Sequence, residues 1–170
     1  GCMPPACRST FQPLTGVTFR LQRTSSIMAE RMTSNFTLSE HEDYWDLAAN
    51  NCIISRIIID YALTLEIQGD RNNLSIRIEN QFSLLLGDQC IDISNSKATE
   101  FYHAIQLLNK SVKYIKAYKN GSLEIFLLEN LVVFVPSDDE YESWMIYGTN
   151  GLKIVSSPGG ELAIWRPEDN

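Results

Sequence analysis

Any chemistry in this chain has to come from a small set of histidine, cysteine and carboxylate side chains. His41-Glu42-Asp43-x-x-Asp46 is the densest group of potential ligands. A metal or acid–base site there needs those side chains to converge, with at least one more ligand from elsewhere. The other histidine, His103, lies two positions from both Phe101 and Ile105, so on a helix it turns away from their apolar stripe. Cys52, His103 and Asp60 supply the types needed for a nucleophile, a base and an orienting acid, but no spacing brings them together. Gly-x-Ser-x-Gly is absent, and two histidines leave few triads to build. The reading is therefore of no catalytic residues, no metal and no cofactor. His41 is then a surface histidine in a solvated acidic loop, and a binding domain is favoured over an enzyme.

The carboxylates carry more information. Glu40, Glu42, Asp43 and Asp46 form one run, and Asp138, Asp139, Glu140 and Glu142 form another. The formal net charge is -7, which repels nucleic-acid phosphates and anionic lipid and favours a basic partner. Domain termini often lie close together, which would merge the two runs into one negative surface. The expectation is that Glu42, Asp43, Asp46, Asp138, Asp139, Glu140 and Glu142 dock a basic protein, with solvated loops as the plainer alternative. Lys110, Lys113, Lys116 and Lys119, interleaved with Tyr114 and Tyr118, are the one basic stripe. On a strand Lys113 faces away from Lys116, so the stripe reads as a solubilising edge rather than a nucleic-acid surface. No apolar run approaches the ~18 residues of a membrane span.

A chain of 170 residues suits one domain with a real core, and 44% hydrophobic against 21% charged residues excludes wholesale disorder. Residues 1–36 read as a poorly structured N-terminal extension, and 37–170 as a single domain. The extension has four arginines and no acid before Glu30. It resembles a transit peptide without a clean amphipathic pattern, and a translated upstream stretch ahead of Met28 or Met32 fits as well. Cys2 and Cys7 lie in it, while Cys52 and Cys90 fall in or beside apolar strand-like runs and read as core thiols in a reducing, cytoplasmic setting.

Ile53 to Ile59 is β-branched and apolar enough for a central strand. Tyr61, Leu63, Leu65 and Ile67 alternate with Ala62, Thr64, Glu66 and Gln68, then Gly69 to Asn73 turns, and Leu74, Ile76 and Ile78 alternate again, which is a hairpin with one apolar face. Phe82 to Leu86 continues the meander. Ser96 as N-cap, Glu100 in the first turn and Phe101, Ile105 and Leu108 on one face predict a helix over 97–109. Val112 to Tyr118 and Leu123 to Leu128 flank Asn120-Gly121, a hairpin turn, and Leu131 to Val135 ends at Pro136. Roughly eight or nine strands and one helix make an α+β domain, mainly an antiparallel meander with that helix packed on it. Leu63, Leu65, Ile76, Ile78, Phe101, Ile105, Leu108, Trp144, Ile146 and Trp165 form its expected core.

The chain closes on Trp144-x-Ile146-x-Gly148-x-x-Gly151 and then Pro158-Gly159-Gly160-Glu161-Leu162-Ala163-Ile164-Trp165, three short strands with glycine turns. A phosphate-cradling loop would need a helix to follow, and none does. Trp144 and Trp165 read as neighbours that pack together or on the helix. This motif, with Trp45-Asp46-Leu47 and Asp60-Tyr61-Ala62-Leu63-Thr64-Leu65, resembles a bacterial family of small domains of unknown function, over about residues 43 to 165. The resemblance implies a small α+β domain with no known activity, and comparable small bacterial domains serve as immunity proteins beside toxins. The functional expectation is a non-catalytic protein-binding domain of immunity type, shielding or inhibiting a basic partner. The alternative is a small-ligand-binding domain or an uncharacterised enzyme, with a pocket near Trp144 and Trp165.

Overall fold

A computed structural model describes residues 36–166. Twelve strands form one antiparallel sheet: β1 (Leu38–Glu40), β2 (Tyr44–Ile59), β3 (Leu63–Gln68), β4 (Asn73–Ile78), β5 (Phe82–Leu86), β6 (Gln89–Ile93), β7 (Ser111–Tyr118), β8 (Leu123–Leu127), β9 (Leu131–Val135), β10 (Trp144–Gly148), β11 (Lys153–Ser156) and β12 (Leu162–Trp165). Their order is β12-β11-β10-β4-β3-β2-β7-β8-β9-β5-β6, with β1 beside β2. The alternation read from the sequence sets the faces. Leu65, Ile76, Ile146 and Ile154 align across β3, β4, β10 and β11, and all four are buried.

The long strand β2 belongs to two neighbourhoods. Residues 44–53 pair with β7, and residues 53–59 pair with β3. The β2–β7 register shifts between Ala48 and Cys52, where Asn51 takes a positive φ of 61°. A strand that changes partners through a bulge is how a sheet turns a corner. The turn between β7 and β8 meets the turn between β11 and β12, although β10, β4, β3, β2 and β7 separate β11 from β8 in the sheet order. At that contact Gly121 O accepts buried hydrogen bonds from Trp144 Nε1 (2.7 Å) and Ser156 Oγ (2.9 Å). A Cβ on Gly121 would overlap Gly160 Cα, and both glycines have positive φ.

The α+β expectation is corrected: the described fold is nearly all β, and its helical segments are both of the 3-10 type. The segment expected as a helix over 97–109 is a 3-10 helix, Ala98–Leu107, begun at Lys97 with no side-chain cap. Three residues per turn change which side chains share a face. Phe101, Ala104 and Leu107 are buried at a spacing of three, whereas Ile105 and Leu108, chosen for a period of 3.6, are 58% and 40% exposed. Phe101 lies against Phe82, with ring centroids 6.2 Å apart.

Trp165 is a second correction to the expected core. Trp144 is fully buried and Trp165 is 51% exposed. β11 lies between their strands, and Trp165 pairs with Lys153, which pairs with Tyr147 on the outer face. Cys90 is also exposed, whereas Cys52 is buried and burial pushes its thiol pKa up. Cys2, Cys7 and the expectation for the N-terminal extension lie outside the described residues, apart from Phe36, which is buried.

Two substitutions separate the 3-10 stripe from an α-helical one. Leu107→Ala is expected to cost about 2–5 kcal/mol and Ile105→Ala no more than about 0.5 kcal/mol, read by urea unfolding. The reverse ranking would restore the α-helical stripe. Gly121→Ala combines overpacking with a left-handed backbone and is expected to cost about 2–4 kcal/mol in the same assay.

Candidate functional site

A cleft of about 470 Å³ opens where three connections meet. Glu79 and Asn80, between β4 and β5, form one side. Glu140, Tyr141 and Glu142, in the loop from β9 to β10, form another. Met145 of β10 and Pro158 of the β11–β12 turn complete the lining. Three carboxylates thus surround a thioether, a phenol ring and a proline ring. Such a mixture suits a long cationic side chain, whose aliphatic stem lies on apolar walls while its head meets the acids.

Asp138 assembles this site rather than lining it. Its Oδ1 accepts the backbone N–H groups of Glu140 (2.8 Å) and Tyr141 (2.9 Å), and Oδ2 accepts Asn80 Nδ2. Its own carbonyl accepts Gly159 N–H at 2.9 Å. One residue therefore ties all three connections together. The backbone N–H groups of Glu140 and Tyr141, and then the Asn80 amide, hold its carboxyl below the usual aspartate range. Glu79 is engaged by Arg77 Nε, and Arg77 Nη1 also reaches Asp60 Oδ2 at 3.1 Å. Glu140 and Glu142 form no ion pair among the described residues and are exposed.

The other residues expected at a docking surface are placed as follows. Asp139 is exposed on the same loop as Glu140 but does not line the cleft. Glu42 and Asp43 sit in the exposed β1–β2 turn. Asp43 O accepts Lys119 N–H (2.9 Å), and Lys119 Nζ pairs with Glu40 (3.0 Å). The β7–β8 turn, with a lysine at its edge, therefore adjoins the first acidic run, while Gly159 and Gly160 adjoin the second. Asp46 stands on β2 opposite Lys116 and is half-buried, and its Oδ1 has no hydrogen-bond partner. Sequence reasoning missed Glu79, Asn80, Met145 and Pro158, because only the strand order brings their connections together, and it passed over Tyr141 between Glu140 and Glu142 in the same loop.

The rest of the candidate chemistry is dispersed. His41 stacks on Tyr44 at 4.6 Å, and His103 lies against Tyr102. Among the described residues no three His, Cys, Asp or Glu side chains converge on a metal position, and no helix is long and apolar enough to cross a membrane. Lys113 differs from expectation. A register shift between Val112 and Tyr114 sets its ammonium over the Phe126 ring, on the face where Lys116 lies over Tyr44 and Tyr114. The Tyr114 and Tyr118 hydroxyls both donate to Glu124. Burial, then the Glu124 charge, pushes the Tyr114 pKa up to about 12.

A depressed Asp138 pKa has a definite linkage sign: the stability it confers is present above the unfolded-state pKa, ~3.9, and is lost as pH falls through the lower folded value. Asp138→Ala is expected to melt below the wild type at pH 7, with the gap closing as both are acidified through that window. Circular dichroism melts from pH 7 to 2 check this, and parallel curves would contradict it.

No curated protein matches the chain, and no solved structure does. The sequence profile of a family of unknown function, DUF6188, matches residues 45–166, from the tryptophan that begins the second position of β2 to the last described residue. That span includes every residue of the cleft and its Asp138 tie, and the chain belongs to the DUF6188 family.

Proposed function

We propose that this domain is a non-catalytic protein-binding module of immunity type, which shields or inhibits a basic partner by taking one of its lysine or arginine side chains into the cleft. The observation that carries the reading is the placement of Glu79, Glu140 and Glu142 around Tyr141, Met145 and Pro158 in about 470 Å³. Arg77 already balances Glu79, so Glu140 and Glu142 supply the uncompensated charge. Asp139, Glu42 and Asp43 are outlying charges in this reading: they speed encounter without entering the pocket. The reading carries a bacterial origin, from the likeness of the closing motif. It also carries a cytoplasmic setting, where thiols such as Cys90 stay reduced.

A pocket shared by Trp144 and Trp165 has lost its support. Trp144 is sealed in the core with its N–H bonded to Gly121, and Trp165 stands on the outer face. A small cationic ligand in the acidic cleft is the second reading, favoured by a volume within the ordinary ligand-pocket range of roughly 300–1,000 Å³.

The product of the neighbouring gene is the partner to test, by co-purification and by protection of cells that express it. The wild type is expected to bind and protect. Glu140→Gln with Glu142→Gln is expected to slow association about 3- to 10-fold at low salt, with the difference shrinking at high salt. Failure of binding and protection, or an association rate indifferent to the double substitution, overturns the reading.

A further inference from the structure

We infer that the outer face of β7, β8, β9, β5 and β6 is a self-complementary surface that docks a second copy of this chain. The two parts of the sheet differ in what they show on that face. On β3 and β4 the outward positions are Thr64, Glu66, Gln68, Asn73, Ser75 and Arg77, all polar. On β8, β9 and β5 they are Glu124, Phe126, Val132, Phe134, Ser83 and Leu85, of which only Glu124 and Ser83 are polar. An antiparallel sheet with one solvated face is expected to alternate apolar-in and polar-out, as β3 and β4 do. The apolar outward residues are also contiguous. Tyr114, Phe126, Val132 and Leu85 are successive cross-strand partners, the first two with stacked rings 4.8 Å apart. Leu85 and Phe134 are each 36% exposed.

Charge identifies the occupant. The neighbouring row across the same strands runs Lys116, Glu124, Phe134, Ser83, Asp92. It is acidic at the β6 margin and apolar at its centre; at the β7 margin Lys116, flanked by Asp46 of β2 and by Glu124, is joined on the same face by Lys113, whose ammonium lies over the Phe126 ring. A two-fold axis along β9 lays the second copy's β6 over β7 and its β5 over β8. Lys116 then meets the second copy's Asp92, Glu124 meets its Ser83, Phe126 meets its Leu85, and Phe134 meets its own counterpart. Both margins are matched at once, which is the requirement for an isologous contact. A hollow of about 200 Å³ lies at the acidic margin, lined by Ser83, Asp92, Phe134 and Pro136 among others. It offers apolar walls to the lysine stem and a carboxylate to its head. Five strands at ~4.8 Å spacing make a narrow face, so the dimer is a reversible one at the small end of interface sizes.

Sedimentation velocity of the full chain over about 5–500 μM tests this, with a dissociation constant in the micromolar range expected for so small an interface. Leu85→Lys is expected to weaken self-association at least ~10-fold. Lys116→Glu and Asp92→Lys are each expected to weaken it about 10-fold, and together to return it to within about 3-fold of wild type. Lys116→Glu stands beside Asp46 and Glu124, so each variant's thermal melt is recorded. If it fails to fold, Leu85→Lys and Asp92→Lys decide the matter. A monomer throughout the range overturns the inference, and so does a dimer indifferent to Leu85→Lys and Asp92→Lys.

Discussion

The carbonyl oxygen of Gly121 accepts hydrogen bonds from Trp144 Nε1 and Ser156 Oγ, and both bonds are buried. Removing such an acceptor leaves two donors without partners, each at a cost of about 1–3 kcal/mol. More depends on the geometry than on that energy. The bonds join the β7–β8 turn to strands at the other end of the sheet order, so they hold the curl that makes one core from an open sheet. Gly121 and Gly160 meet there backbone to backbone, which is why neither position has room for a side chain. The β11–β12 turn fixed by this contact carries Pro158 into the cleft and presents Gly159 to Asp138.

The acidic residues divide into those that build and those that remain available. Asp138 spends its carboxylate on Glu140, Tyr141 and Asn80, and Asp60 spends its own on Arg77 and on the Ala62 N–H. Glu140 and Glu142 stay uncommitted because the Asp138 turn directs the loop around them. Composition counts all of these as equal negative charges, but structurally they are scaffold and surface. The -7 balance therefore overstates the charge available for recognition.

Strand alternation made much of the sheet legible. Leu63, Leu65, Ile76, Ile78, Trp144 and Ile146 are buried as their period of two requires. The helix was misread because two stripes coexist between residues 98 and 108. One is spaced for an α-helix, through Phe101, Ile105 and Leu108, and one at every third residue, through Phe101, Ala104 and Leu107. Alanine at 104 contributes little to a hydrophobicity pattern, which hid the stripe that is buried. The exposed Trp165 and the displaced Lys113 have related causes: a hairpin step and a bulge each reassign a face, and neither leaves a residue-type signature. The cleft was half legible. Glu140 and Glu142 stood out as a charge run, while Glu79 and Met145 are ordinary strand-end and strand residues until the order β4-β10 sets them side by side.

The pairing of β2 has a consequence for the order in which the fold can be made. Its first half pairs locally with the short β1, but its other edge waits for β7, whose partners to Tyr44 and Asp46 are Tyr118 and Lys116, more than a third of the chain later. Meanwhile β3 and β4 close as a local hairpin, as do β7 with β8 and β10 with β11. Such a chain accumulates hairpins early and converts them into a domain late, because distant closures carry the larger loop entropy. Gly121 cannot receive both of its donors until Ser156 has been synthesised. During synthesis on the ribosome, the nascent chain therefore carries the completed apolar strands β8 and β9 for about twenty residues before both donors to Gly121 are present to lock their curl.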